Sequence, residues 1–205
     1  MRIFKIDRNN PDHRAIKSAA RVIKSGGVVI YPTDTIYGLG ANALNKSATQ
    51  KVFAVKGRKK TKPLSIVVMD IKMAKKYCRV NKIQQEIFSA LLPGPFTLIL
   101  PKKANAKIFA GDGKTLAIRI PNSRITQELA DYLKIPFTAT SANISGLPGS
   151  GDIKKVLKQL GINRKKPNLS RLLGISLVLD AGNLPKRKPS TIIDLSGKEP
   201  KVIRK

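Results

Sequence analysis

Residues 28 to 40 read Val28-Val29-Ile30-Tyr31-Pro32-Thr33-Asp34-Thr35-Ile36-Tyr37-Gly38-Leu39-Gly40. The four residues before Pro32 form an apolar, mostly β-branched run without helical spacing, which predicts a buried strand that the proline ends. Upstream, Ile16, Ala19, Ala20 and Ile23 recur at i, i+3, i+4 and i+7. That spacing predicts a helix over 12 to 25, which Asp12 can cap and Gly26-Gly27 can end. Downstream, a second helical stretch over 46 to 56 leads into Pro63-Leu64-Ser65-Ile66-Val67-Val68-Met69, of strand composition. Helix then strand, repeated, is the pattern of an α/β layered domain.

The alternation continues outward. Residues 82 to 91 carry Ile83, Ile87, Phe88 and Leu91 at helical spacing, and Pro93-Gly94-Pro95 separates them from the strand Phe96-Thr97-Leu98-Ile99-Leu100. After a polar loop over 102 to 114 come the strand Leu116-Ala117-Ile118-Arg119-Ile120, a helix with Ile125, Leu129 and Leu133 on one face, and a strand near Phe137-Thr138. A further helix starts near Asp152, with Ile153, Val156, Leu157 and Leu160 on one face. The tail supplies strands over Ser176 to Leu179, Thr191 to Leu195 and Val202 to Arg204. No helices separate these tail strands, so they are expected to be antiparallel, within a mixed sheet of roughly eight strands flanked by four or five helices. Residues 1–205 read as one domain without internal repeats.

The chain has 205 residues, enough to bury a core unaided, and carries 40 Lys+Arg against 12 Asp+Glu, a net charge of +28. Such an excess of cations repels itself in the folded state, which points to a polyanionic partner, nucleic acid first. Glu is confined to Glu86, Glu128 and Glu199, so this is not the joint rise of Lys and Glu found in heat-adapted proteins. There is no aromatic stacking motif for single-stranded RNA, which leaves shape or backbone contacts with tRNA or double-stranded RNA. The lone Cys78 excludes an intrachain disulfide, and with only His13 beside it a zinc site has no ligands; both read as structural. The cytoplasm is the expected compartment, because there is no signal core and no apolar run near the ~20 residues that span a bilayer.

Several segments could carry chemistry. Gly111-Asp112-Gly113-Lys114-Thr115 imitates the end of a phosphate-binding P-loop, but Ile108 stands where the pattern needs Gly, and the segment leads into a strand. More informative are the small, polar strand ends, since ligands of α/β sheets bind in the crevice beyond strand termini. Thr33 to Gly40 is one; it can also be read as a strand-to-helix turn using Thr and Asp as caps. A second is Ala139-Thr140-Ser141-Ala142-Asn143-Ile144-Ser145-Gly146, whose hydroxyl and amide groups can meet phosphate or ribose. Between them, Lys56-Gly57-Arg58-Lys59-Lys60-Thr61-Lys62 closes a predicted helix. Its cations suit the helix dipole, and Lys56 with Arg58 can reach one phosphate chain.

Six blocks in order resemble the successive motifs of the YrdC family. They are Pro32 to Gly40, Lys56-x-Arg58, Pro93-Gly94-Pro95-Phe96-Thr97, Ala117-Ile118-Arg119-Ile120-Pro121, Thr140-Ser141-Ala142-Asn143-x-Ser145-Gly146 and Pro189-Ser190-Thr191-Ile192-Ile193-Asp194. The resemblance implies a twisted mixed parallel/antiparallel sheet with flanking helices and a basic concave face. It also implies the activity of threonylcarbamoyl-AMP synthase, joining L-threonine, bicarbonate and ATP with release of pyrophosphate. The product feeds transferase machinery that modifies tRNA. Ending at Lys205, the chain looks like the short, single-domain form.

Carried over by position, Lys56, Arg58, Lys62, Thr115, Ser141, Asn143, Gly149 and Arg204 are implied on the ATP side. Thr35, Arg119 and Ser190 are implied to face L-threonine. The resemblance puts catalysis on Lys56, Arg58, Ser141 and Asn143, without a metal held by protein side chains and with Mg2+ arriving on ATP. Two positions depart from the family pattern: Val67 stands where a His is common, and Lys188-Pro189 replaces an acidic lead-in. The competing expectation from charge is a non-catalytic double-stranded RNA-binding, tRNA-binding or ribosome-assembly protein using the same basic cleft.

Overall fold

A computed structural model describes residues 1–59, 63–111, 113–162 and 174–205. The chain begins with β1 (Arg2–Lys5), α1 (His13–Lys24), β2 (Val28–Tyr31), β3 (Gly38–Gly40), α2 (Lys46–Lys56) and β4 (Ile66–Val67). It continues through α3 (Ile71–Tyr77), α4 (Lys82–Leu91), β5 (Phe96–Pro101), β6 (Thr115–Arg119) and α5 (Arg124–Leu133). It finishes with β7 (Phe137–Thr138), β8 (Thr140–Ser141), α6 (Ile153–Gln159), β9 (Ile175–Asp180), β10 (Thr191–Asp194) and β11 (Lys201–Arg204).

Pairing sorts the strands into two mixed sheets, ordered β1-β9-β2-β3-β8 and β11-β10-β5-β6-β4-β7. The mixed α/β class with flanking helices is therefore as the sequence reads, with the expected sheet divided in two. One apolar cluster draws on both sheets, joining Val28, Ile30 and Val178 to Leu98, Leu100, Leu116 and Ile118. A second places α1 and α5 over Val29, Tyr31, Leu177 and Phe137. The helix starts are local chemistry: Asp12, Asn45, Asp70, Asn81 and Asp152 each accept a first-turn N–H.

The tail departs from the antiparallel expectation. β9 lies between β1 and β2, parallel to both, and β10 is parallel to β5; the β10/β11 pair alone among these is antiparallel. The strands of the tail enter different sheets, and earlier helices supply the crossovers that parallel pairing needs. Two smaller departures concern packing. Ile83 is exposed on α4 while Gln84 is buried, because Gln84 Nε2 donates to Leu195 O at 2.6 Å. Of the apolar run over 63 to 69, Ile66 and Val67 alone pair as a strand.

β7 and β8 belong to different sheets yet are separated by Ala139 alone. Thr138 ties this crossing to the end of β3. Its hydroxyl donates to Leu39 O at 2.7 Å and accepts from Ala41 N at 2.9 Å, while its own N–H donates to Ala41 O at 2.9 Å. Thr138→Val keeps the shape but strands the first two groups in the core. The expected loss is about 2–4 kcal/mol, read from the denaturant midpoint.

Candidate active site

The loop after β2 turns back at Pro32 so that β2 and β3 pair antiparallel, Tyr31 opposite Gly38. The glycines serve packing here: a Cβ at Gly38 would meet the Tyr31 ring at 3.1 Å, and one at Gly40 at 3.0 Å. The close approach that these glycines allow is to a tyrosine. Within the turn, Thr33 Oγ1 donates to Ile36 O at 2.7 Å, accepts from Thr35 N at 3.1 Å and lies 3.1 Å from Thr35 Oγ1. The Thr35 hydroxyl is thereby held at one wall of a cleft.

That cleft, of about 430 Å³, falls in the range of small-ligand sites. Thr35, Arg58, Arg119, Ser141, Asn143, Gly149, Ser190 and Arg204, drawn from almost the full length of the chain, all line it. Lys56 lies just behind the lining. Thr115 opens β6 opposite Pro101, at the far end of that strand from Arg119 and outside the lining, about 13 Å away by strand rise. Lys62 lies outside the described residues.

Arg119, only 5% exposed, donates through Nη2 to Asp34 Oδ1 at 3.0 Å, and the Asn122 N–H donates to the other oxygen at 3.1 Å. Asp34 was readable only as a turn residue from sequence; its neighbour across the fold is 85 positions away. The Arg119 Nε–H is buried without a partner. Arg119 also lines the cleft, where a guanidinium is suited to an incoming acceptor such as a carboxylate. Nearby, Ser190 Oγ lies 2.8 Å from Thr97 Oγ1, and Arg204 donates to Ser190 O at 2.7 and 3.1 Å. Thr97 appears in the sequence only as part of a turn-and-strand block, because its contact depends on the unforeseen β5/β10 pairing.

Lys56 ends α2 and is 1% exposed. Its ammonium donates to Ser141 O at 2.6 Å, Asn143 O at 3.1 Å and Asn143 Oδ1 at 2.6 Å, while its carbonyl accepts from Ser145 N at 2.7 Å. The Ser141 hydroxyl also donates to Asn143 Oδ1, at 2.6 Å. The two residues are thus first held by Lys56 rather than freely presented. Burial, and then the Arg58 charge, bring the Lys56 amine down to about 7. Burial lowers Arg58 as well, and burial followed by Arg119 lowers Arg204. The cleft therefore holds crowded, partly desolvated cations, an arrangement that an anion relieves. By contrast Cys78, buried in the core, has its thiol pushed up to about 12 and is unreactive at neutral pH.

A two-sheet α/β fold around a cleft of cations and hydroxyls is the kind of site that suits a small anionic ligand. The chain belongs to the Sua5/YciO/YrdC family: the family model, described as "Telomere recombination", matches residues 21–205. It is 38% identical over 197 residues to a Methanocaldococcus jannaschii protein named "Putative threonylcarbamoyl-AMP synthase", covering 95% of this chain and 87% of that one. Pyrococcus abyssi Sua5, solved in complex with L-threonine, superposes with a TM-score of 0.87 at 30% identity. That match covers 100% of this chain and 57% of the Pyrococcus chain. Escherichia coli YciO superposes at 0.84 with 25% identity, covering 100% of this chain and 96% of YciO.

Proposed function

We propose that this chain is a threonylcarbamoyl-AMP synthase, forming threonylcarbamoyl-AMP and pyrophosphate from L-threonine, bicarbonate and ATP. The observation that carries the reading is the Arg119 guanidinium at the wall of a cleft that Thr35 and Ser190 also line. A carboxylate completes the guanidinium, and hydroxyls on either side read a small polar amino acid. Sequence similarity to proteins of that name, and the fold shared with a threonine-bound Sua5, support it.

In chemical terms, the threonine amine attacks the carbon of bicarbonate and water leaves, giving a carbamate. A carbamate oxygen then attacks the α-phosphorus of ATP, the bond to the β-phosphate oxygen breaks, and its electron pair departs with pyrophosphate. The protein's part is to hold the two reactants together and to neutralise the phosphates. Arg58 and Arg204 supply charge at the cleft, with Lys56 behind Ser141 and Asn143. Asp34 is engaged at both oxygens, and among the described residues no cluster of three or more His, Cys, Asp or Glu could hold a metal. The lining does not suit a resident ion; Mg2+ would enter on ATP. The product, a mixed anhydride, would pass to a transferase acting on tRNA. RNA contact by the remaining surface charge would show as a steep fall of tRNA affinity with salt.

Pyrophosphate release measured with each substrate omitted in turn tests the reading. Release requires both L-threonine and bicarbonate, and release indifferent to threonine overturns it. Arg58→Ala is expected to abolish turnover while the folded state persists. The proton on Lys56 provides a second check. With its amine lowered to about 7 in the free protein, nucleotide binding at pH 8 draws a proton back onto it, whereas at pH 6 the proton is already present. Calorimetry in buffers of different ionisation enthalpy is expected to report uptake at pH 8 that vanishes at pH 6. For the same reason nucleotide affinity weakens as pH rises above 7. The free protein has the opposite slope: its folded state binds fewer protons than the unfolded chain above 7, so this group adds stability as pH rises toward 10.5.

A further inference from the structure

A second cavity, of about 570 Å³, lies against the first and shares Thr35, Ile36 and Gly149 with it. Ile36 and Gly149 form a partition and pack directly on one another: a Cβ on Gly149 would stand 2.5 Å from Ile36 Cδ1. Beyond the partition the lining turns basic, with Lys155 on α6 and Lys186, Arg187 and Lys188 on the segment between β9 and β10. The one acid there, Asp152, has Oδ1 accepting from the Lys154 and Lys155 N–H groups. Among the described residues, no ion pair engages any of the four cations.

The basic segment is fastened along its length. Gly182 O accepts from Tyr37 Oη at 2.8 Å, and Ala181 N donates back to the same hydroxyl at 3.0 Å. Leu184 N donates to Gly151 O at 2.8 Å, and Arg187 Nη1 to Asp34 O at 3.4 Å. Pro185 and Pro189 restrict the backbone on either side of the three cations, and Ser190 is held by Thr97 and Arg204. The segment is thus anchored on either side beside the cleft, while the side chains of Lys186, Arg187 and Lys188 are exposed.

We infer that this second cavity is a docking site for inorganic pyrophosphate, the leaving group of the proposed reaction, once it has left the cleft. The inference rests on the synthase reading for its ligand and on the cavity itself for its chemistry. Three lysines and an arginine around one pocket match the charge of a compact polyanion. Collecting pyrophosphate outside the cleft separates it from the anhydride it could otherwise attack in reverse. An extended RNA backbone would be expected instead to follow a longer exposed stripe.

The test titrates pyrophosphate alone into full-length protein by calorimetry, with cleft binding weakened by Arg58→Ala. Adding Lys186→Ser and Lys188→Ser is expected to lower pyrophosphate affinity about tenfold, while L-threonine affinity stays unchanged. Lys155→Ser, on an exposed helix face, is expected to weaken it in the same direction without touching the segment. Unchanged pyrophosphate affinity in both variants overturns the proposal. So does a loss confined to tRNA binding, which would give the patch to RNA. Because no turnover is measured, failure of adenylate formation in the wild-type protein would overturn the synthase reading and leave this titration's outcome separate.

Discussion

In Arg119→Ala protein, L-threonine binding is lost and the fold is weakened by about 3–5 kcal/mol, the scale for removing one partner of a buried ion pair. The cause is Asp34, whose side chain is 1% exposed against 7% for Arg119. Without the guanidinium, a carboxylate at the head of the β2–β3 turn keeps only the Asn122 N–H for its charge. Asp34→Asn separates the two effects. It retains shape and a carbonyl acceptor, so Arg119 stays near its place but is less firmly aimed. Its expected signature is a raised KM for threonine with kcat less changed. Thermal or denaturant unfolding, together with threonine titration of both variants, checks the pair. An Arg119→Ala protein that binds threonine normally would remove Arg119 from the substrate end.

Lys56→Met is expected to stop turnover and to destabilise the protein, since methionine is of similar length but offers no donors. Ser141 O, Asn143 O and Asn143 Oδ1 lose their shared partner, at about 1–3 kcal/mol for each group that water cannot reach. The loop from 141 to 145 then loosens at the place where the nucleotide is proposed to lie. Lys56→Arg is not expected to rescue: a planar guanidinium cannot converge on three acceptors spaced for an ammonium in so closed a site. The measurement is pyrophosphate release beside an unfolding curve. A Lys56→Met protein with native stability would show that the ammonium is dispensable to the loop.

What could be read from the sequence is what is local. The strand Val28–Tyr31 and the helix His13–Lys24 follow from residue spacing, a proline and an Asx cap within a few positions of one another. Gln84 against Ile83 was not legible, because which face of α4 turns inward depends on Leu195 needing a donor 111 residues later. The same holds for β9, whose place between β1 and β2 is a property of two parallel pairings at long range. At the cleft, family-like motifs identify Arg119, Thr35 and Ser190, while their supports Asp34 and Thr97 stand unremarked inside the same blocks. Lys56 sits in a run of cations typical of a surface, yet it is buried. An acid inside a strand-end motif, in a chain with 40 Lys+Arg against 12 Asp+Glu, was the available signal for Asp34.

Ligand sites set between two layers commonly close by hinge bending, with one body swinging over the other. The crossing at Ala139 denies this protein much of that freedom. The neighbours of that residue are hydrogen-bonded into opposite sheets, so the swivel available to the chain there is a single residue's backbone torsions. Rotating one sheet against the other would break the ties of Thr138 to Leu39 and Ala41 before the cleft changed width appreciably. Recognition then relies on a cavity whose dimensions are set before the ligand arrives, and selectivity among amino acids becomes a matter of steric exclusion more than of induced fit.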